Sequence, residues 1–191
     1  MSISAFLELG LPADKTAALE AHYELLVRWN KVLNLTRIER LEDALERHYC
    51  ESLFLAARLP AGRIVDIGSG GGFPGLVVAI ARPDCSVTLV ESHQRKAVFL
   101  REASRKLSNI QVLAKRGEDV QERFECLISR AVSYADLGPL ILRLADRIAL
   151  LTGADEPPHS WPFRWAVEAL PSGKSRFLRM GEIVSRETYL P

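Results

Sequence analysis

The sequence predicts an α/β fold with a mostly parallel, doubly wound sheet, a helical N-terminal extension and a C-terminal β-hairpin. Short apolar runs rich in β-branched residues begin only after Gly62, and stretches long enough for helices separate them. Near-continuous apolar strands that alternate with helices are typical of a parallel sheet covered on both faces. Right-handed crossovers between such strands produce the doubly wound form.

The N-terminal extension is predicted to contain two helices. The first covers Thr16–Leu33, where apolar residues recur at helical spacing, and Asp14 is predicted to cap it. The second covers about Leu41–Leu59 and is predicted to end before Pro60. A short polar interruption separates the two helices.

The remaining elements follow from the apolar runs and the stretches between them. Strands are predicted at Ile64–Ile67, Val87–Val90, Ile110–Leu113, Cys126–Ser129 and Ile148–Leu151. Helices are predicted at Gly75–Ala81, Gln94–Leu107 and Ala135–Leu144, and a terminal hairpin at Phe177–Met180 and Glu182–Tyr189. No repeat or linker divides the chain, so we expect one domain over residues 1–191, with the extension at 1–60 and the α/β core at 61–191.

Composition narrows the class of protein. Apolar residues make up 48% and charged residues 26% of the chain, and the net charge of +1 argues against a protein that coats nucleic acid. This net charge does not exclude RNA binding, because a basic face can coexist with an acidic one. The three cysteines lack metal-ligand spacing and favour free thiols in the cytoplasm, with no metal site. No membrane span or signal peptide is predicted.

The strongest motif is the glycine-rich segment Asp66–Gly75 (DIGSGGGFPG), which follows the first strand and opens a helix. Such a loop lies at the carboxyl end of its strand, where open α/β sheets bind nucleotides. The dinucleotide pattern fits poorly, because the sixth position from Gly68 is Phe73, and Pro74 interrupts the pattern that starts at Gly70. Asp66 suits a cation such as the amino group of methionine and disfavours the remaining alternative, an NAD-dependent oxidoreductase.

Acidic residues follow the next two strands. Glu91 is predicted to accept hydrogen bonds from both ribose hydroxyls of an adenosine, and Gly117 and Glu118 to flank the adenine. Each acid alone could be a solvated helix cap, but their register with the glycine loop indicates nucleoside binding. The Asp-x-Gly-x-Gly-x-Gly pattern that begins at Asp66 and includes Gly68 and Gly70 resembles motif I of class I methyltransferases, which have a Rossmann-like fold and use S-adenosyl-L-methionine.

The resemblance extends to one family, the ribosomal RNA small subunit methyltransferase G family, also called glucose-inhibited division protein B. It is carried by NKVLNLT at Asn30–Thr36, RHYCES at Arg47–Ser52, the Asp66–Gly75 loop, RKAVFL at Arg95–Leu100 and SRA at Ser129–Ala131. This resemblance implies N7-methylation of a guanine in 16S rRNA near the decoding centre. It also implies 16S rRNA or the 30S subunit as partner, and we expect a monomer.

The resemblance also implies site residues. Gly68, Phe73, Gly117, Glu118 and Arg130 would line the cofactor site. Asn34, Arg47 and His48 would face the acceptor, with Asn34, His48 and Arg130 as the catalytic candidates. Arg47, Arg95 and Lys96 would bind substrate. The structural alternatives are that Asn34 only caps a helix turn, that His48 is a packed histidine, and that the basic residues form a solvated face.

The sequence lacks the motifs of two other kinds of base methylation, which agrees with methylation at guanine N7. No cysteine lies in a loop suited to cytosine-C5 methylation, and the position after the fourth strand has Ser129–Val132 in place of an Asn/Asp-Pro-Pro-Tyr/Phe loop. Guanine N7 carries a lone pair and no proton, so alignment with the sulfonium methyl would be the main catalytic effect.

Two positions depart from the family pattern. Glu51 replaces the usual Asp, and Thr152 replaces the Lys of Leu-Lys-Gly. Two alternatives therefore remain open: a methyltransferase of another RNA or small molecule, and a cofactor-binding RNA module without catalysis.

Overall fold

The computed structural model describes residues 4–173 and 175–184. Its sheet has seven strands in the order β3-β2-β1-β4-β5-β7-β6. The strands are β1 (Gly62–Ile67), β2 (Cys85–Val90), β3 (Ile110–Leu113), β4 (Cys126–Arg130), β5 (Arg147–Thr152), β6 (Phe163–Ala169) and β7 (Phe177–Ile183). β1 to β5 are parallel, and β7 runs antiparallel between β5 and β6. The predicted fold class is confirmed.

The helices lie in the N-terminal region and in the crossovers between strands. They are α1 (Ser4–Leu7), α2 (Ala13–Leu33), α3 (Leu41–Ala44), α4 (Glu51–Ala56), α5 (Gly75–Ala81), α6 (Gln94–Ser104) and α7 (Tyr134–Leu144). A π-helical turn over Leu45–Cys50 joins α3 to α4, and a 3₁₀ turn over Gly117–Asp119 follows β3. Among these described segments, none combines the length and apolarity needed to cross a membrane.

Both faces of the sheet are buried. Ile64 and Val65, adjacent on β1, belong to two different apolar clusters and are both fully buried. The cluster around Ile64 includes side chains of α2, α4, α5 and α6, whereas the cluster around Val65 includes α7. This arrangement explains why the strands appear as continuous apolar runs and not as alternating patterns.

The boundaries of the N-terminal helix differ from the prediction. α2 begins at Ala13, one turn earlier than expected, and Pro12 occupies the N-cap position. Asp14 therefore lies in the first turn and not at the cap, where its charge still favours the helix N-terminus.

The C-terminal hairpin exists, but its strands are not the predicted ones. β7 is continuous over Phe177–Ile183 and pairs with β6, so Met180 and Glu182 lie in one strand. Gly181, which the predicted hairpin left between its two strands, lies in the middle of β7. A Cβ there would stand 3.0 Å from atoms of Phe163 and Trp165, so their rings occupy the space of a side chain. Most of the predicted second strand, residues 185–189, lies outside the described residues.

The sheet order places a crevice between β1 and β4. The chain moves from β1 outward through β2 and β3, then returns to the other side of β1 at β4. Ligands of open α/β sheets bind at such a reversal, outside the carboxyl ends of the strands. The candidate site is therefore at the loops after β1, β2, β3 and β4.

Candidate active site

The glycine loop after β1 presents bare backbone to this crevice. Gly68 is exposed and Gly70 half-buried, and both have positive φ, at 74° and 51°. The N–H groups of Gly68 and Ser69 donate to Val90 O at the end of β2, over 3.0 and 3.2 Å. A side chain at Gly68 would be strained in this conformation and would stand 2.6 Å from Val132. The loop is therefore fixed, open on one side and suited to close ligand approach.

Asp66 lies beneath the loop. It is fully buried, and its Oδ2 accepts a hydrogen bond from Gly75 N at the start of α5 over 3.0 Å. Burial raises the pKa of Asp66 to about 7. Its Oδ1 is the buried side-chain atom that lacks a hydrogen-bond partner among the described residues. Asp66 thus connects the loop to α5 through Oδ2, while Oδ1 can still accept a hydrogen bond.

Glu91 joins the end of β2 to the glycine loop. Its Oε2 accepts from Gly70 N over 2.9 Å and its Oε1 accepts from His93 N over 2.7 Å. The residue is 7% exposed. Each carboxylate oxygen can accept a further hydrogen bond, so Glu91 can still receive donors from a ligand beside the loop.

The segment after β3 approaches the same crevice. Gly117 opens the 3₁₀ turn, and a Cβ on it would stand 2.5 Å from Leu140 of α7 and 3.7 Å from Ile67 at the end of β1. Glycine is therefore required here for packing. Glu118, next in the chain, is exposed. The predicted cofactor residues after β1, β2 and β3 are thus neighbours in the fold.

Arg130, at the end of β4, is held by the π-helical turn. Its Nη1 donates to His48 Nδ1 over 2.8 Å and to Arg47 O over 3.0 Å. The His48 ring stacks on Phe73 of the glycine loop with centroids 4.4 Å apart, and Arg130 Cζ lies 5.2 Å from the Phe73 centroid. The wide π-helical turn therefore brings a carbonyl and an imidazole together onto one guanidinium, beside the loop.

The hydrogen bonds of His48 fix its tautomer. Arginine has no acceptor, so His48 Nδ1 must be unprotonated. The proton is therefore on Nε2, which lies 2.8 Å from Thr36 Oγ1 and donates to it. Burial, with the charge of Arg130, lowers the pKa of His48 to about 3. His48 is neutral at physiological pH and acts as an acceptor for Arg130, while burial lowers the pKa of Arg130 to about 10 and leaves it charged.

A cavity of about 730 Å³ opens beside this cluster at the carboxyl ends of β4 and β5. Its walls include Arg47, His48 and Arg130, together with Tyr134 of α7 and Thr152 at the end of β5. The volume is within the range of small-molecule and nucleotide pockets. It adjoins the glycine loop through Arg130, so a nucleotide placed here would lie next to a ligand bound at the loop.

Three predicted residues form no hydrogen bond with Arg130 or His48 in the part of the chain that the structure describes. Asn34 has φ 48° at the C-terminus of α2, is exposed, and its side chain forms no hydrogen bond with the described residues. Arg95 is exposed and Lys96 half-buried in the first turn of α6. Asn34 is the C-cap of α2, and its catalytic role stays a prediction. The two basic side chains are free to meet a ligand that extends beyond the crevice.

Several contributing residues were not predicted. Asn30 fixes Thr36 by accepting from its N–H over 2.9 Å and donating to its carbonyl over 3.0 Å. Arg176, before β7, donates from Nε and Nη2 to the two oxygens of Glu51 over 2.7 and 2.5 Å. Asn30 and Thr36 were present in one motif, but no signal in the sequence links Glu51 to a residue so distant in the chain.

The described residues fit an adenosine-containing cofactor with a cationic amino-acid end. Exposed loop backbone at Gly68 and Gly70 leaves room for it, Glu91 has remaining acceptor capacity, and Asp66 has an unpartnered oxygen. Among the residues described, no group of three or more His, Cys, Asp or Glu side chains is placed to hold a metal ion.

Solved structures identify the class of fold. A SAM-dependent methyltransferase from Aquifex aeolicus is similar with a TM-score of 0.59 and 16% identity, covering 79% of this chain and 97% of that one. A SAM-dependent O-methyltransferase from Thermotoga maritima has a TM-score of 0.58 and 14% identity, covering 84% and 72%. The fold is that of the Rossmann-like methyltransferases.

Sequence comparison identifies the family within this class. Residues 15–143 match the family described as rRNA small subunit methyltransferase G (GidB). A protein named Ribosomal RNA small subunit methyltransferase G from Methylobacillus flagellatus is 44% identical over 131 residues, 66% of this chain and 64% of the relative. Its namesake in Xanthomonas campestris is 36% identical over 181 residues, 91% and 80% of the two chains. The chain belongs to the rRNA small subunit methyltransferase G family.

The extent of the match differs between relatives. The aligned segment spans 64% of the Methylobacillus protein and 62% of the relative from Halorhodospira halophila, less than two thirds of their lengths. The match to the family ends at residue 143, within α7, so it includes the glycine loop, Glu91 and Arg130 but not the C-terminal strands.

Proposed function

We propose that this protein transfers the methyl group of S-adenosyl-L-methionine to N7 of a guanine in 16S rRNA, as free RNA or within the 30S subunit. One observation carries the proposal. In a member of this family, Arg130 is fixed by His48 beside the glycine loop, so a half-buried cation adjoins both the nucleoside crevice and the cavity of about 730 Å³. The chain would work as one domain, as a monomer in the cytoplasm.

The loops after β1, β2 and β3 hold the cofactor in this proposal. Backbone groups of Gly68 and Gly70 lie against the methionine part, and Asp66 favours its amino group. Glu91 accepts from the ribose hydroxyls, since its carboxylate oxygens retain acceptor capacity beyond Gly70 N and His93 N. Gly117 and Glu118 flank the adenine. When bound, S-adenosyl-L-methionine supplies an electrophilic methyl group on a sulfonium centre.

Arg130 and its neighbours orient the acceptor base. A guanidinium presents several N–H donors, and a bidentate contact to guanine O6 and N7 is the usual readout of that base. Here N7 must remain free to react, so Arg130 donates to O6 or to a nearby phosphate. Phe73 and His48 support the guanidinium, and no side chain has to remove a proton because N7 has none. Orientation supplies the catalytic effect.

The other basic residues of the predicted site would bind the rest of the RNA. Arg47, Arg95 and Lys96 contact phosphates flanking the target, and Asn34 lies on the acceptor side. The target guanine is unstacked, because its N7 must reach a donor held within a crevice.

Methyl transfer tests the proposal directly. Wild-type protein is incubated with labelled S-adenosyl-L-methionine and 16S rRNA or 30S subunits that lack the modification, beside Glu91→Ala and Arg130→Ala. We expect transfer to the RNA by wild type and strong loss in both variants. Cofactor binding without any transfer would favour the alternative of a silent RNA-binding module.

A further inference from the structure

The cavity beside Arg130 has a third arginine on its wall. Arg47, Arg130 and Arg176 all line it, and Asp155 and Glu156 line it as well. Arg47 and Arg130 belong to the segments that resemble the family, whereas Arg176 lies beyond the residues that match it. Its position in this cavity follows from the C-terminal hairpin alone.

Strand pairing explains how Arg176 reaches the cavity. Phe177 pairs with Thr152, the last residue of β5, so Arg176 emerges at the same edge of the sheet as the carboxyl end of β5. This is the edge at which Arg130 ends β4 and to which the glycine loop belongs. The antiparallel pairing of β7 with β5 therefore brings Arg176 to the candidate site, beside the carboxyl end of β5.

Glu51 fixes the direction of the Arg176 guanidinium. The Glu51 side chain is fully buried, whereas the Arg176 side chain is 21% exposed. Arg176 binds it through Nε and Nη2, and the Ser172 hydroxyl donates to the same Oε1. One edge of the guanidinium is therefore directed into the protein, and the side chain is held with little freedom.

The Nη1 group of Arg176 remains available. A guanidinium has five N–H donors, and the pairing with Glu51 uses those on Nε and Nη2. Among the described residues, none accepts a hydrogen bond from Nη1. A planar, permanently charged donor that is pre-oriented on a cavity wall suits a phosphate oxygen, because its hydrogen bonds to anions are directional and charge-assisted.

We propose that Arg176 is a substrate-positioning residue, whose Nη1 donates to a backbone phosphate of the RNA that enters the cavity while Glu51 holds the guanidinium in place. This inference rests on the proposed function for its acceptor, an RNA. It assigns a role in acceptor binding to the C-terminal hairpin and to the buried carboxylate of α4.

The test compares wild type with Arg176→Lys, which keeps a cation for Glu51 but loses the second edge of the guanidinium. The double variant E51Q/R176Q removes both charges, so neither is left buried alone. Arg164→Ala is the matched control, because it removes a charge from the same hairpin at an exposed site outside the cavity. Thermal melting and cofactor titration establish that each variant is folded.

Two readouts are measured for each protein: KM and kcat for methyl transfer to 16S rRNA, and the salt dependence of RNA binding. We expect both Arg176 variants to raise KM about tenfold, with kcat and cofactor affinity within about twofold of wild type. The slope of log Kd against log salt for a single-stranded RNA fragment falls by about 0.7, the loss of one phosphate contact. Arg164→Ala leaves both unchanged.

Two results would overturn the inference. One is an RNA affinity, salt slope and KM in the Arg176 variants equal to those of Arg164→Ala, which would make the Glu51–Arg176 pair purely structural. The other is a wild-type protein that binds no RNA. If wild type binds RNA but transfers no methyl group, the proposed function fails while the salt slope still decides the role of Arg176.

Discussion

Arg130 Nη1 donates a 2.8 Å hydrogen bond to His48 Nδ1, and this contact connects the end of β4 to the π-helical turn of the N-terminal region. In this contact His48 is the acceptor. The imidazole is neutral, with its proton on Nε2 facing Thr36, so its Nδ1 accepts the hydrogen bond from the Arg130 guanidinium. The N-terminal helices thus contribute to the site through Arg130.

Substitution of His48 should therefore depend on whether an acceptor is kept. His48→Asn retains an amide oxygen near the Nδ1 position, whereas His48→Leu leaves Arg130 with an unpaired donor. Because an unsatisfied buried donor costs about 1–3 kcal/mol, we expect kcat for methyl transfer to fall at least about tenfold more in His48→Leu than in His48→Asn. Cofactor affinity serves as the control. Equal activities in the two variants would contradict the role of His48 as an acceptor.

The pH dependence of stability gives a second test. Burial lowers the pKa of His22 to about 4 and, with Arg130, that of His48 to about 3, while burial raises the pKa of Asp66 to about 7. Between pH 7 and pH 5 the unfolded chain gains protons at two histidines, which lowers the free energy of unfolding. The folded protein takes up protons at Asp66 over the same range, which opposes this effect.

The two histidines outweigh the aspartate. We expect a free energy of unfolding about 1.5 kcal/mol lower at pH 5 than at pH 7, measured by urea denaturation at 25 °C. His48→Asn removes one of the two destabilising protons and flattens this dependence, whereas Asp66→Asn makes it steeper. A pH dependence that is unchanged by His48→Asn would show that His48 titrates normally in the folded protein.

Glu91 should control cofactor affinity. Its two oxygens accept from Gly70 N and His93 N, and Glu91→Gln removes the charge and one acceptor. A hydrogen bond to a charged group contributes about 1.5–3 kcal/mol, so we expect the Kd for S-adenosyl-L-methionine to rise at least about tenfold by calorimetry. Glu122→Gln, at an exposed site before β4, is the control for charge. An unchanged Kd in Glu91→Gln would show that Glu91 does not bind the cofactor.

Two glycines of the loop should respond differently to alanine. A Cβ on Gly75 would stand 2.5 Å from Asp66 Oδ2 and from Leu89 Cδ2, so Gly75→Ala is expected to lower the free energy of unfolding by about 3 kcal/mol. A Cβ on Gly70 meets nothing closer than 3.7 Å, so Gly70→Ala costs about 1 kcal/mol for its left-handed conformation.

Gly70→Ala therefore tests cofactor binding separately from stability. Because its Cβ would enter the open side of the loop, we expect a folded protein whose affinity for S-adenosyl-L-methionine is reduced at least about tenfold. Urea denaturation and calorimetry on the same sample separate the two effects. Wild-type affinity in Gly70→Ala would mean that the cofactor does not approach this part of the loop.

Local patterns predicted the parallel core of this fold well. β1 to β5 agree with the predicted strands to within two residues at either end, because their apolar runs are packed on both faces, half-buried in β3 and buried in the others. β6 was missed, because its apolar run, Trp165–Val167, is short and lies between charged residues in a mostly exposed edge strand. The predicted hairpin turned at Gly181. The sequence gives no sign that Phe163 and Trp165 pack against this glycine within a continuous strand.

The candidate site was also predictable only in part. The glycine loop and Glu91 follow strand ends, so their position was predictable from element order, and the contact between Gly70 and Glu91 agrees with it. Arg130 and His48 come together only through tertiary packing, and so do Glu51 and Arg176. These pairs join residues far apart in the chain, and no periodicity encodes such contacts.

The identity of the methylated nucleoside tests the central claim most directly. Unmodified 16S rRNA, free or in 30S subunits, is treated with wild-type protein and S-adenosyl-L-methionine, digested to nucleosides and analysed by mass spectrometry. We expect 7-methylguanosine, formed by wild type and lost in Arg130→Ala. A methyl group on another atom or base, or no methylation by a protein that binds the cofactor, would contradict it.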